Sequence, residues 1–187
     1  TLTGGTHSFT VNQRPLNATL ARQYDATTTS AGSTLSSFDA LQGGETLTMS
    51  GSGTAASKDV ANGIAMASNG TLALVDGTGL ASNYSLNSTV INISQTPVDL
   101  SGSKTYDGNT TINNSSVNVA SGLIGSETLS LTGVVNTNNA NVGSFSASGG
   151  TLNVGSTTIA LANGTNGGLS TNYAINDGNF TITQRVV

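Results

Sequence analysis

Apolar and polar residues alternate along much of the chain, as they do in half-buried β-strands. The clearest case is the pair of segments in which Leu47 and Met49, and again Leu129 and Leu131, share one face while Ser and Thr take the other. No window shows helical periodicity, and strong helix formers are scarce. The pattern predicts an all-β protein built of small antiparallel β-sandwich or β-grasp-like domains. A parallel β-helix is the alternative, although it requires a much shorter repeat than the one found here.

The pattern occurs twice, because residues 9–26 align without a gap with residues 91–108. The matching pairs, each 82 positions apart, are Gln13 with Gln95, Pro15 with Pro97, Tyr24 with Tyr106 and Asp25 with Asp107. A third partial copy is present at Phe180–Arg185. Self-similarity of this period indicates tandem domains. We predict two of them, at residues 1–94 and 95–187, in an elongated arrangement that shares the Gln-x-Pro junction.

Two glycine-containing turns between apolar arms predict β-hairpins. The first lies in residues 64–74 and has Asn69-Gly70 at its centre. The second lies in residues 145–154 and has Gly149-Gly150 at its centre. In that second hairpin, a two-residue loop would place Phe145 opposite Val154.

The start of each repeat has its own pattern. Phe9 and Val11 alternate with polar residues and predict a half-buried strand, which should be interrupted or pushed to a sheet edge at Pro15 because proline lacks a backbone donor. Gly108 completes the second Tyr-Asp turn and tolerates positive φ. Ala26 stands at the same place in the first repeat. We expect it to be right-handed, since positive φ costs an alanine about 1 kcal/mol or more.

Structural roles are predicted for five of the repeated residues. The rings of Tyr24 and Tyr106 should anchor the start of each domain against its core. Pro15 and Pro97 should constrain the chain between domains, Pro97 by stiffening the junction. Gly108 should allow the tight turn.

Composition excludes several classes of function. The chain has 187 residues, of which 7% are charged, with five Lys and Arg, no Cys and a net charge of -4. Scattered basic residues give no footprint for nucleic acid, and no apolar run approaches the roughly 18 residues that cross a bilayer. Without cysteine there is no disulfide, thiolate metal site or cysteine nucleophile. We expect neither a nucleic-acid partner nor membrane insertion.

Catalytic groups are not evident in the sequence. His7 is the only histidine and has no acidic residue beside it. Asp25 with Glu45, and Asp107 with Glu127, are the carboxylate pairs that a glycosidase would need. Because they recur in both repeats, we interpret them as turn caps and strand-end residues. The sequence predicts a protein that is not an enzyme and needs no cofactor.

Calcium is the metal that the sequence would accommodate best, because Ca²⁺ takes carboxylate and amide oxygens in turns. The candidate ligands are Asp25, Glu45, Asp59, Asp107, Glu127 and Asn141. No EF-hand or nonapeptide calcium pattern accompanies them. We therefore predict a metal-free protein, with calcium binding as the weaker alternative.

Five short motifs support a family resemblance. They are Lys104-x-Tyr106-Asp107-Gly108, Gly125-x-Glu-Thr-Leu129, Asn141-Val142-Gly143, Asn172-Tyr173 and Ile182-Thr-Gln184. Together they resemble the YDG and related mostly-β, glycine-rich repeats of large bacterial surface adhesins of the filamentous-haemagglutinin-like kind. The first repeat departs from that pattern at Ala26 and Ala61, where the family has glycine.

The resemblance implies a stalk or spacer module in a secreted adhesin that supports cell-surface adhesion or biofilm formation. It places the protein outside the cell, at the bacterial surface, with neighbouring repeats of the same polypeptide as partners. It transfers no catalytic or ligand-binding residue to this chain. The alternative is a carbohydrate- or host-receptor-binding module that contacts surface or matrix glycans through the Ser- and Thr-rich strand faces.

Overall fold

The computed structural model describes Gly4, residues 8–147 and residues 157–186. These residues form strands, turns and a few single-turn 3₁₀ segments, which confirms the all-β class. The strands are β1 Arg14–Gln23, β2 Thr29–Ala31, β3 Leu35–Phe38, β4 Leu47–Ser50, β5 Ser52–Ala55, β6 Ala61–Ser68, β7 Ala73–Asp76, β8 Tyr84–Ser94, β9 Thr96–Thr105, β10 Thr111–Asn113, β11 Val117–Ser121, β12 Leu129–Thr132, β13 Val134–Asn136, β14 Gly143–Ala147, β15 Ala160–Asn163 and β16 Tyr173–Thr183. The 3₁₀ segments are Gly32–Thr34, Ala81–Asn83, Asn114–Ser116 and Ser170–Asn172. In this part of the chain no helix is long and apolar enough to cross a membrane.

The strands belong to two compact units, each assembled from separate stretches of sequence. Unit 1 comprises Thr1–Arg22, Thr28–Ser57 and Ala61–Asn92. Unit 2 comprises Gln23–Thr27, Lys58–Val60 and Ile93–Val187. Two short segments of the first sequence repeat therefore fold as part of unit 2.

Unit 1 contains a six-stranded sheet of order β2-β5-β6-β8-β1-β3 and a separate β4–β7 pair. In β4, Leu47 and Met49 are buried while Thr48 and Ser50 are exposed, which confirms the predicted strand. Leu47 packs with Leu16 and the ring of Tyr84 in the core of the unit. The period-2 pattern thus sets which face of β4 is buried.

The hairpin predicted around Asn69-Gly70 is wrong, although the turn itself is present. Leu72 donates its backbone N–H to the Asn69 carbonyl at 2.9 Å, and Gly70 has φ of +51°. After the turn, however, β6 and β7 separate, because β6 pairs with β5 while β7 pairs with β4. The N–H of Thr71 bonds to the Ser52 carbonyl at 2.9 Å, which directs the chain toward a different partner. Local backbone chemistry thus determines the turn, whereas tertiary pairing determines the partners of the two strands.

Unit 2 contains a four-stranded sheet of order β11-β9-β16-β14 and the pairs β10–β13 and β12–β15. Its core residues are Leu100, Ile112, Val117, Val135, Ile159 and Phe180. The central strands β9 and β16 run parallel, with Val98 opposite Ile175 and Thr105 opposite Thr183. Parallel pairing was not predicted, and it places the first and last strands of the unit side by side. Phe145 in β14 lies opposite Phe180, whereas its predicted partner Val154 lies outside the described residues.

The strand predicted at Phe9 and Val11 is wrong. Their side chains are 90% and 96% exposed, and residues 8–13 form no strand. Their counterparts Ile91 and Ile93 are buried in β8, which lies between β6 and β1. Within the described residues no strand flanks Phe9, so the same pattern has nothing to be buried against.

Each proline lies at the second position of a strand, Pro15 in β1 and Pro97 in β9. Neither interrupts the pairing that follows, and Pro97 lies opposite Ala174 of β16. A missing donor is tolerated near the first residue of a strand. The stiffening role of Pro97 stays a prediction.

Candidate functional site

The most distinctive polar site of unit 2 is built around the carboxylate of Glu127. The Tyr24 hydroxyl donates to Glu127 Oε1 at 2.6 Å, and the Tyr173 hydroxyl donates to Oε2 at 2.6 Å. Lys58 Nζ lies 3.3 Å from Oε1 and 3.2 Å from the Tyr24 hydroxyl oxygen. Glu127 is only 7% exposed. We call these four residues the tyrosine–glutamate cluster.

Local backbone hydrogen bonds position the members of the cluster at strand ends. Glu127 closes a turn before β12, in which its N–H donates to the Ile124 carbonyl at 3.1 Å. Tyr173 is the first residue of β16. Tyr24 follows β1 and donates its backbone N–H to the Ser94 carbonyl at 2.9 Å. Tyr173 lies within a strand, whereas Tyr24 and Glu127 lie next to strands and are positioned by these backbone hydrogen bonds.

The two aromatic rings shield the carboxylate. The centroids of Tyr24 and Tyr173 are 5.5 Å apart with an interplanar angle of 76°, an edge-to-face contact. Lys58 Nζ lies 5.6 Å from the centroid of the Tyr24 ring. Edge-to-face aromatic pairs contribute about 0.5–1.5 kcal/mol beyond their buried area. The cluster therefore combines ring packing with charge-assisted hydrogen bonds.

Burial and mutual hydrogen bonding fix the protonation states. Burial, and then the Glu127 carboxylate, raise the pKa of Tyr173 to about 12. The same two causes raise the pKa of Tyr24. Burial opposes ionisation of Glu127, but the hydrogen bonds from Tyr173, Tyr24 and Lys58 together outweigh it and lower its pKa. The hydrogen bond to Tyr24 is the main cause that raises the pKa of Lys58.

The cluster is therefore locked near neutral pH, with Glu127 and Lys58 charged and both tyrosines protonated. A general acid or base works best when its pKa lies near the working pH. In this cluster the pKa of Glu127 is lowered and those of Lys58, Tyr24 and Tyr173 are raised, so each pKa moves away from neutral pH. The arrangement stabilises a contact rather than preparing a group for proton transfer.

A second set of hydrogen bonds holds the segment that carries Lys58. Asn172 is completely buried and donates from Nδ2 to Asp59 Oδ1 at 2.9 Å. Its Oδ1 accepts the backbone N–H of Val60 at 2.9 Å. One buried amide thus secures both a side chain and the backbone of Lys58–Val60.

Unit 1 contains the counterpart of the carboxylate and of one tyrosine. Tyr84 donates its hydroxyl to Glu45 Oε2 and accepts the backbone N–H of Gln42 at 3.2 Å. Tyr173 accepts the N–H of Ile124 at the same distance in unit 2. The glutamate–tyrosine hydrogen bond is thus a repeated feature.

Beside the Glu45 carboxylate lies a cleft of about 390 Å³. We call it the glutamate pocket, and its lining includes Gln13, Arg14, Gln42, Glu45, Ser82, Asn83 and Tyr84. The repeat alignment matches these residues with Gln95, Thr96, Ile124, Glu127, Thr171, Asn172 and Tyr173, of which Thr96, Glu127 and Tyr173 contact Tyr24 in unit 2. No tyrosine from the described residues fills the glutamate pocket.

The two tyrosines predicted as anchors differ. Tyr24 is 2% exposed, but it belongs to unit 2, where its ring packs against Tyr173 and its hydroxyl bonds to Glu127, so it does not anchor its repeat against that repeat's own core. Tyr106 is 42% exposed, so the prediction that its ring packs on the core is wrong. The backbone N–H of Tyr106 donates to the Thr183 carbonyl at 2.8 Å, and the backbone N–H of Tyr24 donates to the Ser94 carbonyl at 2.9 Å. The Tyr106 hydroxyl, however, donates to no carboxylate among the described residues.

The turn after each tyrosine is the same in both repeats. Asp25 Oδ1 accepts the N–H of Thr27 at 2.9 Å, and Asp107 Oδ1 accepts the N–H of Asn109 at 2.9 Å. The middle residue is left-handed in both, with φ of +62° at Ala26 and +81° at Gly108. The expectation of a right-handed Ala26 is wrong, because the aspartate-capped turn imposes the conformation even on alanine.

The calcium candidates do not converge in the structure. Across residues 8–147 and 157–186, no group of three or more His, Asp or Glu could hold a metal ion. Instead, each candidate has a partner within the protein. Glu127 and Glu45 accept hydrogen bonds from tyrosine hydroxyls, and Asp59 accepts one from Asn172. Asp107 bonds to Lys104, Asp25 caps its own turn, and the N–H of Asn141 donates to Asn139. His7 lies outside the described residues.

Sequence reasoning did not foresee that Lys58, Asn172 and Tyr173 act together with Tyr24. A signal was available, since the dipeptide Asn83-Tyr84 recurs as Asn172-Tyr173 and both repeats have a glutamate before the corresponding strand. A carboxylate and a tyrosine that recur at matching places in both repeats indicate a contact that both repeats share. The distance between them cannot be read from spacing alone.

The fold and this site define an all-β protein with a repeated glutamate–tyrosine hydrogen bond. A family model of the YDG domain matches residues 10–92, which include Tyr24, Glu45, Lys58 and Tyr84. No curated protein matches the chain, and no solved structure does so.

Proposed function

We propose that this chain is a pair of structural spacer repeats from a large secreted bacterial adhesin. In this role the repeats hold a distal binding region away from the cell surface and support adhesion or biofilm formation. The observation that carries the proposal is the origin of the cluster in unit 2. Tyr24 and Lys58 come from the stretch that the YDG model matches, yet they are built into unit 2 around Glu127. In repeat arrays, stability depends on neighbouring repeats in this way.

The chemistry of the cluster supports a structural rather than an enzymatic role. Every polar group in it is hydrogen-bonded, and the pKa shifts of Glu127, Tyr24 and Tyr173 favour the states that hydrogen-bond best. Removing one partner of such a buried network is costly, because the remaining groups lose their compensation. The cluster is thus suited to resist separation of the segments that form it.

Small-angle X-ray scattering of the chain, with and without a calcium chelator, tests the spacer role. We expect an extended two-lobed particle whose scattering does not change when the chelator is added. A compact particle would contradict the spacer role. A particle that becomes extended only with calcium would replace it with a calcium-dependent role.

A second candidate function has one specific observation in its favour. A cleft of about 670 Å³ in unit 2 is lined by hydroxyl, carboxylate and amide groups of Asp99, Ser101, Ser144, Ser146, Asp177 and Asn179. Hydrogen bonds from Ser121 and then Asn176 lower the pKa of Asp99, which keeps it ionised and able to accept hydrogen bonds from sugar hydroxyls. The aromatic platform that commonly packs on a sugar ring is missing from its described lining.

Titration of the isotopically labelled chain with neutral oligosaccharides distinguishes this alternative. A spacer gives no saturable chemical-shift change in the cleft. Saturable chemical-shift changes at Ser101 and Asn179 that disappear in Asp99→Asn would instead show that the chain is a glycan-binding module.

A further inference from the structure

Glu127 and Tyr24 of the tyrosine–glutamate cluster, and the neighbouring Asn172, have counterparts elsewhere that are more exposed. Glu127 and Asn172 are buried, whereas their counterparts Glu45 and Asn83 are half-buried and exposed, respectively. Tyr24 is 2% exposed, whereas its counterpart Tyr106 is 42% exposed. One complete contact in unit 2 thus corresponds to two half-contacts, an acceptor on unit 1 and a donor on unit 2.

The acceptor half is the glutamate pocket. Tyr84 already donates to Glu45 Oε2, as Tyr173 donates to Glu127 Oε2. Glu45 Oε1 receives no hydrogen bond from any residue that the structure describes, whereas Glu127 Oε1 receives the Tyr24 hydroxyl. The pocket therefore has the carboxylate, the edge of one tyrosine and the space for a second.

The rim of this pocket shows the same contrast. Leu80 is 56% exposed, but its counterpart Leu169 in unit 2 is half-buried. Gln13 donates from Nε2 to the Ser82 carbonyl at 3.1 Å, just as Gln95 donates to the Thr171 carbonyl at 3.1 Å. The seat is thus already formed in unit 1 without its occupant.

The donor half lies at one end of the unit 2 sheet, and we call it the tyrosine face: Tyr106, Asp107, Asn141 and Val142. Tyr106 follows β9 where Thr105 pairs with Thr183, and Val142 precedes β14 where Gly143 pairs with Ile182. Because β9, β16 and β14 are neighbours in one sheet, both residues lie at the same sheet end.

The tyrosine face presents apolar surface together with a preformed turn. Val142 is 55% exposed, whereas its counterpart Val60 is half-buried beside Asn172. Lys104 Nζ bonds to Asp107 Oδ1 at 2.6 Å and to the Asn109 carbonyl at 2.5 Å, which fixes the turn before any partner binds. A preformed turn loses less conformational entropy when it docks.

We propose that the glutamate pocket binds the tyrosine face of a second copy of this chain, with the Tyr106 hydroxyl donating to Glu45 Oε1. Tyr24 in unit 2 shows the placement of the ring, including the edge-to-face packing on the resident tyrosine. Residues 8–12 of the copy with the pocket and residues 184–186 of the copy with the tyrosine, all exposed and outside strands, turn aside in this contact, because the chain from Ser94 to Gln95 fills the corresponding place beside Tyr24. In this contact the Asn83 amide hydrogen-bonds to the Asn141–Val142 segment of the second copy, just as the Asn172 amide hydrogen-bonds to Asp59 and to the backbone of Val60. This binding does not depend on the spacer role.

Two differences set the strength of the new contact. Ala140 stands where Lys58 stands in the other repeat, so the second copy brings no ammonium to the carboxylate. Arg14 lines the glutamate pocket at the place of Thr96 and supplies a positive charge from the acceptor side. We therefore expect an association weaker than the contact within unit 2, with a dissociation constant of about 1 mM or below, since 1 mM corresponds to −4.1 kcal/mol.

The contact is heterologous, because the donor and the acceptor are different surfaces of the same chain. Such contacts can continue from copy to copy in an open series. Sedimentation equilibrium of the full chain over a concentration series should show a weight-average mass that rises beyond that of a dimer. A chain that stays monomeric up to about 1 mM would overturn the proposal.

Two conservative variants separate the halves. Tyr106→Phe removes the donor hydroxyl but keeps the ring, and Glu45→Gln removes the charge but keeps an acceptor for Tyr84. Each should weaken self-association about tenfold or more, the usual effect of losing a hydrogen bond to a charged group. Asp177→Asn, which removes one carboxylate from the unit 2 cleft, is the matched charge control and should associate like the unchanged chain. Self-association that persists in Tyr106→Phe and Glu45→Gln would contradict the proposal.

Mixing the two variants provides the decisive test. The Tyr106→Phe chain still has an intact pocket, and the Glu45→Gln chain still has an intact tyrosine. Their equimolar mixture should recover association, but only as far as a dimer, because one strong contact can form. A mixture no more associated than either variant alone would contradict the proposal, and circular dichroism of each variant verifies that both remain folded.

Discussion

Glu127 and Glu45 occupy the same place in two repeats, yet their surroundings differ. Glu127 accepts hydrogen bonds from two tyrosine hydroxyls and from the ammonium group of Lys58, whereas Glu45 accepts one from a single tyrosine hydroxyl. The difference does not come from the residues beside each glutamate, since both precede a similar strand and face a tyrosine. It comes from a segment supplied from far along the chain, because Tyr24 is 103 residues from Glu127. The sequence of one repeat therefore specifies half of this site, and the neighbouring repeat specifies the other half.

The largest contrast is expected from the two aligned tyrosines. Tyr24→Ala removes a buried ring and should destabilise unit 2 by about 3–5 kcal/mol, the usual cost of truncating a buried aromatic side chain. Tyr106→Ala removes a ring that is 42% exposed, and its effect on stability should be much smaller. Native-state hydrogen exchange resolves the two units, and the Tyr24→Ala loss should appear at amides of β9 and β16. Equal effects from the two substitutions would refute the asymmetry.

The two glutamates give the next contrast. Glu127→Gln replaces a charged acceptor with an amide whose NH₂ group faces donors, and should cost about 2–4 kcal/mol. Glu45→Gln leaves one hydroxyl to be satisfied at a more open position, so the loss should be smaller. Urea unfolding followed by circular dichroism measures both. A larger loss of unfolding free energy in Glu45→Gln than in Glu127→Gln would contradict the proposed difference between the two glutamates.

Alkaline pH should weaken unit 2 through Tyr173. Its folded-state pKa is raised to about 12 from the ordinary tyrosine value of about 10, so the protonated hydroxyl stabilises the fold fully below pH 10. That stabilisation is lost as the pH rises from about 10 toward 12, and a two-unit shift corresponds to about 2–3 kcal/mol. Tyr24, whose pKa is also raised, adds to the loss in the same direction.

The measurement is the free energy of unfolding as a function of pH, compared with that of Tyr173→Phe. The variant should be less stable near neutral pH and should show a shallower decline above pH 10. An unchanged slope in the variant would mean that another group causes the alkaline loss.

Acidic pH acts through Glu127 with the opposite sign. Its pKa is lowered in the folded state, so its contribution is present above the unfolded value of about 4.5 and is lost as the pH falls through the folded value. The Glu127→Gln variant should lack this acid-dependent component. A matching acid dependence in the variant would assign it to other carboxylates.

The sequence predicted the features that depend on neighbouring residues. The all-β class and the strand at Leu47 followed from alternation of period 2, and the turn at Asn69-Gly70 followed from local backbone chemistry. The features that it did not predict depend on residues far apart. The parallel β9–β16 pair and the Tyr24–Glu127 contact join distant segments, for which a single sequence has no local signal.

Tyr106 shows why repeat symmetry alone was misleading. Its local sequence matches that of Tyr24, which is why the same role is predicted for both, and its backbone N–H makes the corresponding hydrogen bond in the structure. Burial of the ring, however, requires a glutamate and a second tyrosine to face it. Among the described residues, Glu127 and Tyr173 face the Tyr24 ring, whereas no such pair faces the Tyr106 ring.

The smallest predicted effect tests the turn that follows each tyrosine. Ala26 has φ of +62°, a conformation that costs a non-glycine residue about 1–2 kcal/mol, while glycine adopts it without that penalty. Ala26→Gly should therefore stabilise the chain by somewhat less than about 1 kcal/mol, because glycine also loses more entropy on folding. Gly108→Ala should destabilise it by about 1 kcal/mol through backbone strain alone, since a Cβ there would meet no atom within 4 Å. Thermal unfolding of the two variants should shift in opposite directions, and shifts of the same sign would show that the aspartate cap does not impose the same turn on both residues.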